Sequence, residues 1–535
     1  MSVFSIVIIG IYAVYMILNF KHDIHMLQQN SYRLPRYWRW LRHKDIGSDW
    51  RLVDVALLFL LISTNLIDPR IAAVIAAIVA VVKICLIFRR KFKKPLVFTR
   101  RVWRIYCVTA LLALGAVVAT ALCTAGRTDV MLVYSGTIVT LSLMAVISIL
   151  SWVVVILALI ILMPVEKAIN RRYINDAKRI LRGMPDLKVV GITGSYGKTS
   201  TKHYLHRILS EKYETLMTPG SFNTPMGVVR TVREMMKPYT EIFICEMGAK
   251  QKGDIREICD IVHPQAGVVT AVGPMHLETF HNIETVQSTK FELVDALPSD
   301  GFAVVNNDFE YCANREVENV ECIRYAVTNT EDADLWAENI EYSAEGTRFD
   351  VVGCDGMRFS LRTRLMGEAN ISNLLAATAV ALKYGVETEC IQFAVAAIEQ
   401  VEHRLSVKQT PGGVTILDDA FNSNPTGSKM ALEVLDYFRK AGRRIVITPG
   451  MVELGDRQFE LNKELGRQVG RHADVAIIVG EYNRDALLEG VHATDFDTEN
   501  LFTADSFNEA QALLQGMVKR GDTVLYENDL PDSFK

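Results

Sequence analysis

The stretch Lys188-Val189-Val190-Gly191-Ile192-Thr193-Gly194-Ser195-Tyr196-Gly197-Lys198-Thr199-Ser200-Thr201 holds the residues best suited to chemistry in this chain. A short β-branched run enters a glycine-rich turn, and a helical pattern from Thr201 to Leu209 leaves it. That order is what a phosphate-binding loop requires. Glycines let the backbone approach the phosphates, and the helix N-terminus supplies N–H donors and positive potential. Lys198 would reach the β/γ-phosphates and Thr199 would ligate Mg²⁺, with Gly194, Ser195, Gly197 and Ser200 completing the cradle. The spacing is T-G-x-x-G-K-T; the longer G-x-x-x-x-G-K-[ST] form would need glycine where Ile192 stands.

Two further residues sit where open α/β sheets place ligands, just beyond strand-like runs. Glu246 follows Glu241 to Cys245, and His276 follows Val268 to Met275. Glu246 with Thr199 could hold Mg²⁺ between phosphates, and His276 could complete a second metal site. Taken singly, a strand-end Glu reads as solvated and a lone His as a structural hydrogen-bonder.

The elements that position these residues begin near Pro185. Strand-like segments are Glu241–Cys245, Ala266–Val272, Phe302–Asn306, Gly413–Leu417, Arg444–Ile447, Val475–Val479 and Thr523–Tyr526. Helical patterns occur at Ile371–Tyr384, Pro425–Ala441, Phe459–His472 and Ser506–Lys519. The alternation predicts parallel α/β sheets, with an internal boundary between Val395 and Leu405.

Before Pro185 the chain is of another kind. Apolar runs occupy Val3–Phe20, Leu52–Ile67, Ile71–Phe88, Val102–Cys123 and a long segment from Met131 to Pro164. The last is one tilted helix or two short ones. The segments 21–51 and 89–104 are basic, through Arg33, Arg36, Arg39, Arg42 and Lys44 and then Arg89, Arg90, Lys91, Lys93, Lys94, Arg100, Arg101 and Arg104. They read as cytoplasmic loops. Lys167, Arg171, Arg172, Lys178, Arg179 and Arg182 follow the last run. Five spans with the N-terminus outside and the soluble body inside satisfy all three basic segments. Lys83 reads as snorkelling to the cytoplasmic end, and no intramembrane acid or histidine cluster is evident that would carry transport.

Over 535 residues the formal charge is −3, with no domain-wide basic excess, so nucleic acid is not an expected partner. Nine scattered cysteines, with no C-x-x-C pair, predict neither a disulfide framework nor structural zinc.

The sequence resembles the Mur ligases from Lys188 to about Tyr526. The resemblance is carried by TGSYGKTS (193–200), GSFNTPMGV (220–228), EMGA (246–249), VGPMHLETF (272–280), STKFEL (288–293), VNNDFE (305–310), GEANISNLLAA (367–377), HRL (403–405), DDAFNSNP (418–425) and GMVELG (450–455). It is nearest to the branch whose amine is D-alanyl-D-alanine. The resemblance implies an ATP-dependent amide ligase that activates a carboxylate as an acyl phosphate. It implies a P-loop parallel-sheet ATPase domain over 185–398 and a smaller Rossmann-like α/β domain over 399–535, here preceded by an α-helical membrane region, 1–165. By the same resemblance Lys198 and Thr199 bind phosphate and Mg²⁺, and Glu246 and His276 bind metal. Lys290 would be a carbamylated lysine that ligates metal, so two Mg²⁺ ions are implied. Asn370 and Asn373 hold the adenine, Arg404 reaches the γ-phosphate, and Asp419 contacts the ribose. The implied catalytic set is Lys198, His276, Lys290 and Arg404.

Three departures stand out. Ala369 precedes Asn370 where the family commonly has histidine, membrane-like helices replace the domain that grips a UDP group, and Tyr526–Asp532 lacks a Lys-Gly-Ser pattern. The leading expectation is a ligase in the bacterial cytoplasmic membrane that joins an amino acid or dipeptide to a carboxylate of a cell-wall precursor. Its rivals are a ligase for a lipid-linked or polymeric substrate such as poly-γ-glutamate, and a non-catalytic membrane scaffold with a nucleotide-binding domain. The joint presence of Lys198, Glu246, His276, Lys290 and Arg404 counts against the scaffold. The sequence leaves the oligomeric state open.

Overall fold

The computed structural model describes residues 3–30, 32–43, 51–63, 68–89, 95–125, 130–275, 277–343, 346–400, 405–420, 424–439 and 441–529. His276 and Arg404, together with Lys44 and the basic residues 90–94, lie outside them. The chain divides into two compact units, Met1–Arg171 and Arg172–Lys535.

Helices α1 (Val3–Gln29), α2 (Leu34–His43), α3 (Arg51–Ile62), α4 (Pro69–Arg89), α5 (Arg100–Ala125), α6 (Val130–Ile149) and α7 (Ser151–Arg182) make up the described part of the first unit, α7 running on past its boundary. Four of them, α1, α4, α5 and α7, are long and apolar enough to cross a membrane among the described residues. The apolar run from Met131 to Pro164 is two helices, because the chain turns at Leu150.

One face of α1 is polar along its length. Ser5, Tyr12, Tyr15, Asn19 and Asp23 are all buried, at intervals of seven, three, four and four residues, which place side chains on one helix face. Thr137 of α6 donates to Ser5 at 2.9 Å, and Asn19 donates to the Ser148 carbonyl at 3.0 Å. Asp23 accepts from Arg51 at 2.6 Å and from Ser151. The expectation that Lys83 snorkels is corrected here. Lys83 is 3% exposed, its ammonium lies 2.6 Å from Asp54, and Tyr15 donates to the same carboxylate at 2.7 Å. The unit therefore does hold a buried acid, and pairing is the physical reason: an unpaired ammonium in apolar surroundings would be far more costly than a hydrogen-bonded pair.

The second unit contains two sheets. The first has nine strands: β1 (Lys188–Thr193), β2 (Thr215–Met217), β3 (Ile242–Glu246), β4 (Ala266–Val269), β5 (Phe302–Asn306), β6 (Glu321–Ala326), β7 (Leu335–Ser343), β8 (Gly346–Gly353) and β9 (Arg358–Thr363). Their order is β2-β3-β1-β4-β5-β6-β7-β8-β9. The pairs from β2 to β7 are parallel and the last two are antiparallel. Another sheet has six strands, β10 (Ser406–Gln409), β11 (Thr415–Asp419), β12 (Arg444–Thr448), β13 (Val475–Val479), β14 (Leu501–Ala504) and β15 (Thr523–Glu527), in the order β10-β11-β15-β12-β13-β14. Only the β10–β11 pair is antiparallel.

Both faces of the nine-stranded sheet are covered, so its central strands read as continuous apolar runs. Val190, Ile192, Ile244, Val268 and Val304 share one core with helix α8 (Lys198–Leu209) and the helix Glu368–Lys383. Helix α8 opens on Thr199, Ser200 and Thr201, which are modest helix formers at less than about 0.7 kcal/mol each. It buries Tyr204, Leu205, Ile208 and Leu209, each worth about 1.5–3 kcal/mol. Packing therefore holds α8 in place, and with it the loop at its head.

Candidate active site

The parallel register sets the site. Ile192 near the end of β1 is level with Glu246 at the end of β3, and Thr193 is level with Val269 at the end of β4. Three carboxyl-terminal strand ends thus converge beneath the turn 194–197, the place where open sheets bind ligands.

Close approach explains the turn's glycines. Gly194 has φ +149°, and a Cβ there would lie 2.1 Å from Thr270 Oγ1. Gly197 has φ +77°, a left-handed conformation that disfavours other residues, and a Cβ there would lie 2.3 Å from Asn373 Oδ1. The turn is tied down from the neighbouring strand. Ser195 N–H donates to the Ala271 carbonyl at 2.7 Å, and its Oγ donates to the Gly273 carbonyl at 3.0 Å. The Thr270 hydroxyl donates to the Tyr196 carbonyl. Gly197 caps α8 without a side-chain acceptor on its first N–H groups, which suits an anion there. Lys198 Nζ donates to the carbonyls of Gly194 at 2.5 Å and Ser195 at 3.1 Å. Ser200 is buried in the first turn of α8.

Glu246 is buried at 1% exposure and is held on all sides. Its Oε1 accepts from Thr199 Oγ1 at 3.3 Å and from Asn223 Nδ2 at 3.0 Å, and its Oε2 faces Lys202 Nζ at 3.0 Å. Burial pushes this carboxyl up, but the Lys202 and Lys198 ammonium groups and the Asn223 amide outweigh it, and the net shift is below the ordinary value. Glu246 is therefore a carboxylate next to a hydroxyl, the hard-oxygen pair that suits Mg²⁺. Among the described residues no group of three or more His, Cys, Asp and Glu forms a metal cluster. The donor set here is mixed, with a Thr and a single Glu.

Lys202 is a residue of the candidate site that sequence reading missed. It is fully buried, and besides Glu246 it donates to the Gly220 carbonyl at 2.6 Å. Its signal was present, since position 202 is one helical turn beyond Lys198 and shares its face. Asn223 was passed over too, although the block 220–228 carries it over Glu246.

Lys290 closes the helix Ile283–Phe291 at 3% exposure. Burial, reinforced by the Lys198 charge, holds its ammonium well below the ordinary range despite Asp254 and Glu292.

The two asparagines differ. Asn373 Oδ1 accepts from Thr201 Oγ1 at 3.1 Å and faces Gly197, so it borders the loop. Asn370 is engaged at both ends of its amide, accepting from Tyr204 at 2.6 Å and donating to the Met366 carbonyl at 2.7 Å. Its geometry is that of a brace between α8 and the helix Glu368–Lys383. Asp419, at the end of β11, accepts from the Leu405 N–H at 3.0 Å and so holds the chain next to Arg404.

Known proteins match in the same region. The model for the Mur ligase middle domain matches residues 192–381, and that for the Mur ligase glutamate ligase domain matches 403–526. A UDP-N-acetylmuramoyl-tripeptide–D-alanyl-D-alanine ligase from Mycobacterium tuberculosis H37Rv is 32% identical over 362 residues, covering 63% of this chain and 70% of that protein. The enzyme of that name from Bacillus subtilis is 30% identical over 279 residues, and the match spans 52% of this chain but only 59% of the relative's length. Among solved structures, MurF ligase from Thermotoga maritima in complex with ADP is similar, with a TM-score of 0.60 and 26% identity over 67% of this chain and 80% of that one. MurF from Acinetobacter baumannii gives the same TM-score and identity, covering 77% of its own chain.

Proposed function

Because the chain belongs to the Mur ligase family, we propose that it is an ATP-dependent acid–amino-acid ligase of peptidoglycan precursor synthesis, attached to the membrane by its first unit. Transfer of the ATP γ-phosphoryl group to an acceptor carboxylate gives an acyl phosphate and ADP. The amine then attacks the acyl carbon, an amide bond forms, and inorganic phosphate leaves. The named activity of the relatives suggests a tripeptide carboxylate as acceptor and D-alanyl-D-alanine as amine.

The observation that carries this reading is the Thr199–Glu246–Lys202 arrangement beneath the turn 194–197. Thr199 and Glu246 would hold Mg²⁺, which when bound neutralises charge on the phosphates. Lys198 turns from the loop carbonyls to the β/γ-phosphates, and the N–H groups at the head of α8 orient them. Asn373 borders the adenine side. Asp419 reaches the ribose, and Arg404 serves the γ-phosphate from the last domain. Lys290, whose neutral form burial favours, would add carbon dioxide at Nζ with loss of a proton, and the resulting carbamate would hold a second ion with His276. The domains are 1–165, 185–398 and 399–535, with the catalytic pair on the cytoplasmic side of a bacterial membrane.

A second reading keeps this chemistry and changes the acceptor to a lipid-linked or polymeric carboxylate. The apolar helices α1, α4 and α5 on the same chain favour it, since they would tether the chain to a bilayer. The test common to both is isotopic. With ¹⁸O in the acceptor carboxylate, one label should appear in the released phosphate. Phosphate free of label would exclude the acyl phosphate route.

A further inference from the structure

The apolar half of α7 has the length of a span, but its contacts run across the end of the helix bundle. In the first unit α1 and α6 run the same way, because Ser5 meets Thr137 and Asn19 meets Ser148. The C-terminal end of α1 is also where α5 begins. Gln28 exchanges two hydrogen bonds with Val97, at 2.8 and 3.0 Å, and Arg101 lies 4.0 Å from the Tyr32 ring centre. Tyr106 then reaches back to the Ile17 carbonyl at 2.6 Å, so α5 runs against α1.

Both ends of the apolar half of α7 are fastened at this same level. Ser151 donates to Asp23, close to the start of α3 at Arg51. Trp152 packs on Trp38 of α2, with ring centres 5.6 Å apart. Glu166 accepts from Arg104 at 2.6 Å and lies 3.7 Å from Arg101, at the start of α5. Ser151 and Glu166 are about 22 Å apart along a helix, at 1.5 Å per residue. A helix crossing the bilayer would carry Glu166 most of the way through the ~30 Å hydrocarbon layer. Here both residues lie beside the same ends of α1, α3 and α5.

We propose that residues 151–166 form an interfacial helix, seated in the leaflet on the side of the basic segments 33–51 and 89–104, and do not cross the membrane. Val155, Ala158, Leu159 and Leu162 form the stripe that packs inward. Leu157, Ile160, Ile161 and Val165 form the opposite stripe, each between 45% and 52% exposed. Lipid is the partner that fits, since this stripe leads directly into Lys167 and Arg171, the order in which an interfacial helix meets acyl chains and anionic headgroups. The consequence is one of parity. With α7 as a span, the second unit would emerge opposite the basic segments and away from ATP. With α7 lying flat, it emerges on their side.

This inference rests on the membrane reading above, and its test separates the two. The full chain, with Cys85, Cys107, Cys123 and Cys354 replaced by Ala, is labelled with a fluorophore at Leu157→Cys, Ile161→Cys or Val165→Cys. It is then reconstituted in anionic phosphatidylglycerol bilayers brominated at shallow or deep acyl positions. The three sites should sit at one shallow depth, within about one helical turn of 5.4 Å, and be quenched more by the shallow bromines. A depth that changes steadily by about 12 Å from 157 to 165 would overturn the proposal. So would sites shielded from every brominated lipid by a second copy of the chain or another protein. A control label at Leu111→Cys, on the 69%-exposed face of α5, reports on the membrane reading itself. If that label is never quenched, the membrane reading fails, whatever the α7 sites show.

Discussion

The ammonium of Lys202 lies 3.0 Å from Oε2 of Glu246, and neither side chain is more than 1% exposed. This pair fixes which oxygen of Glu246 is left for Thr199. Removing one partner of a buried ion pair is destabilising by about 3–5 kcal/mol, because the remaining charge is stranded. Lys202→Met should therefore lower the melting temperature and weaken Mg²⁺-dependent binding of a fluorescent ADP analogue more than its Mg²⁺-independent binding. Equal weakening in both conditions would show a purely structural role.

Lys198→Ala should reduce ATP turnover by about 100- to 1000-fold, the usual effect of deleting one group aimed at developing charge in a water-poor site. Its stability should change little, since Lys198 is only part-buried and bonds to its own loop. Turnover near that of the parent would place the phosphates elsewhere.

Lys290→Ala should be nearly inactive and should recover part of its activity with short-chain carboxylic acids. Burial holds the Lys290 ammonium well below its ordinary range, so the neutral amine that carbon dioxide requires is easier to reach than in a solvated lysine. Full activity in the variant would remove Lys290 from the mechanism. Inactivity without rescue, and no carbamate mass on the native protein, would leave it a structural lysine.

His203 sets a pH dependence. Burial, with the nearby Lys202 and His206 charges, depresses its imidazole from 6.5 to about 4. Below pH ~6.5 the unfolded chain binds a proton that the folded one refuses until about 4, so stability falls as pH drops through that window. Above the window His203 adds no pH dependence. His203→Gln should lose less melting temperature between pH 7 and 5 than the parent, and parallel curves would contradict the assignment.

Lys83→Met and Asp54→Asn should each destabilise the detergent-solubilised chain, by about 3–5 kcal/mol if the pair behaves as buried pairs do. The double variant should recover much of that loss, because no charge is left stranded. Additive losses in the double variant would mean the two groups act separately.

How much could be read beforehand follows from what each element buries. Strands β3, β5, β12, β13 and β15 lie within covered sheets, and their unbroken apolar runs expose them to inspection. Strands β6 to β9 carry charge along their exposed positions, as in Arg348, Arg358 and Arg362, and no run marks them. The phosphate loop was legible because its chemistry is local, within eight residues of sequence. Asn223 and the Asp54–Lys83 pair were not, because each depends on a partner 23 or 29 residues away, and Lys202, whose partner is 44 residues away, left only its place on the Lys198 face of α8 as a mark. The break at Leu150 left no mark either, as neither Gly nor Pro stands there.

The central claim, an amide ligase driven by ATP, is tested most directly by following phosphate release from the full chain in lipid nanodiscs with ATP and Mg²⁺. The amine is D-alanyl-D-alanine, and the acceptor is supplied either as the UDP-linked tripeptide or in its lipid-linked form. Phosphate should appear in equal amount with the new amide, and only when amine and one of the two acceptors are both present. Phosphate released at the same rate without acceptor, or no amide from either acceptor, would contradict the account.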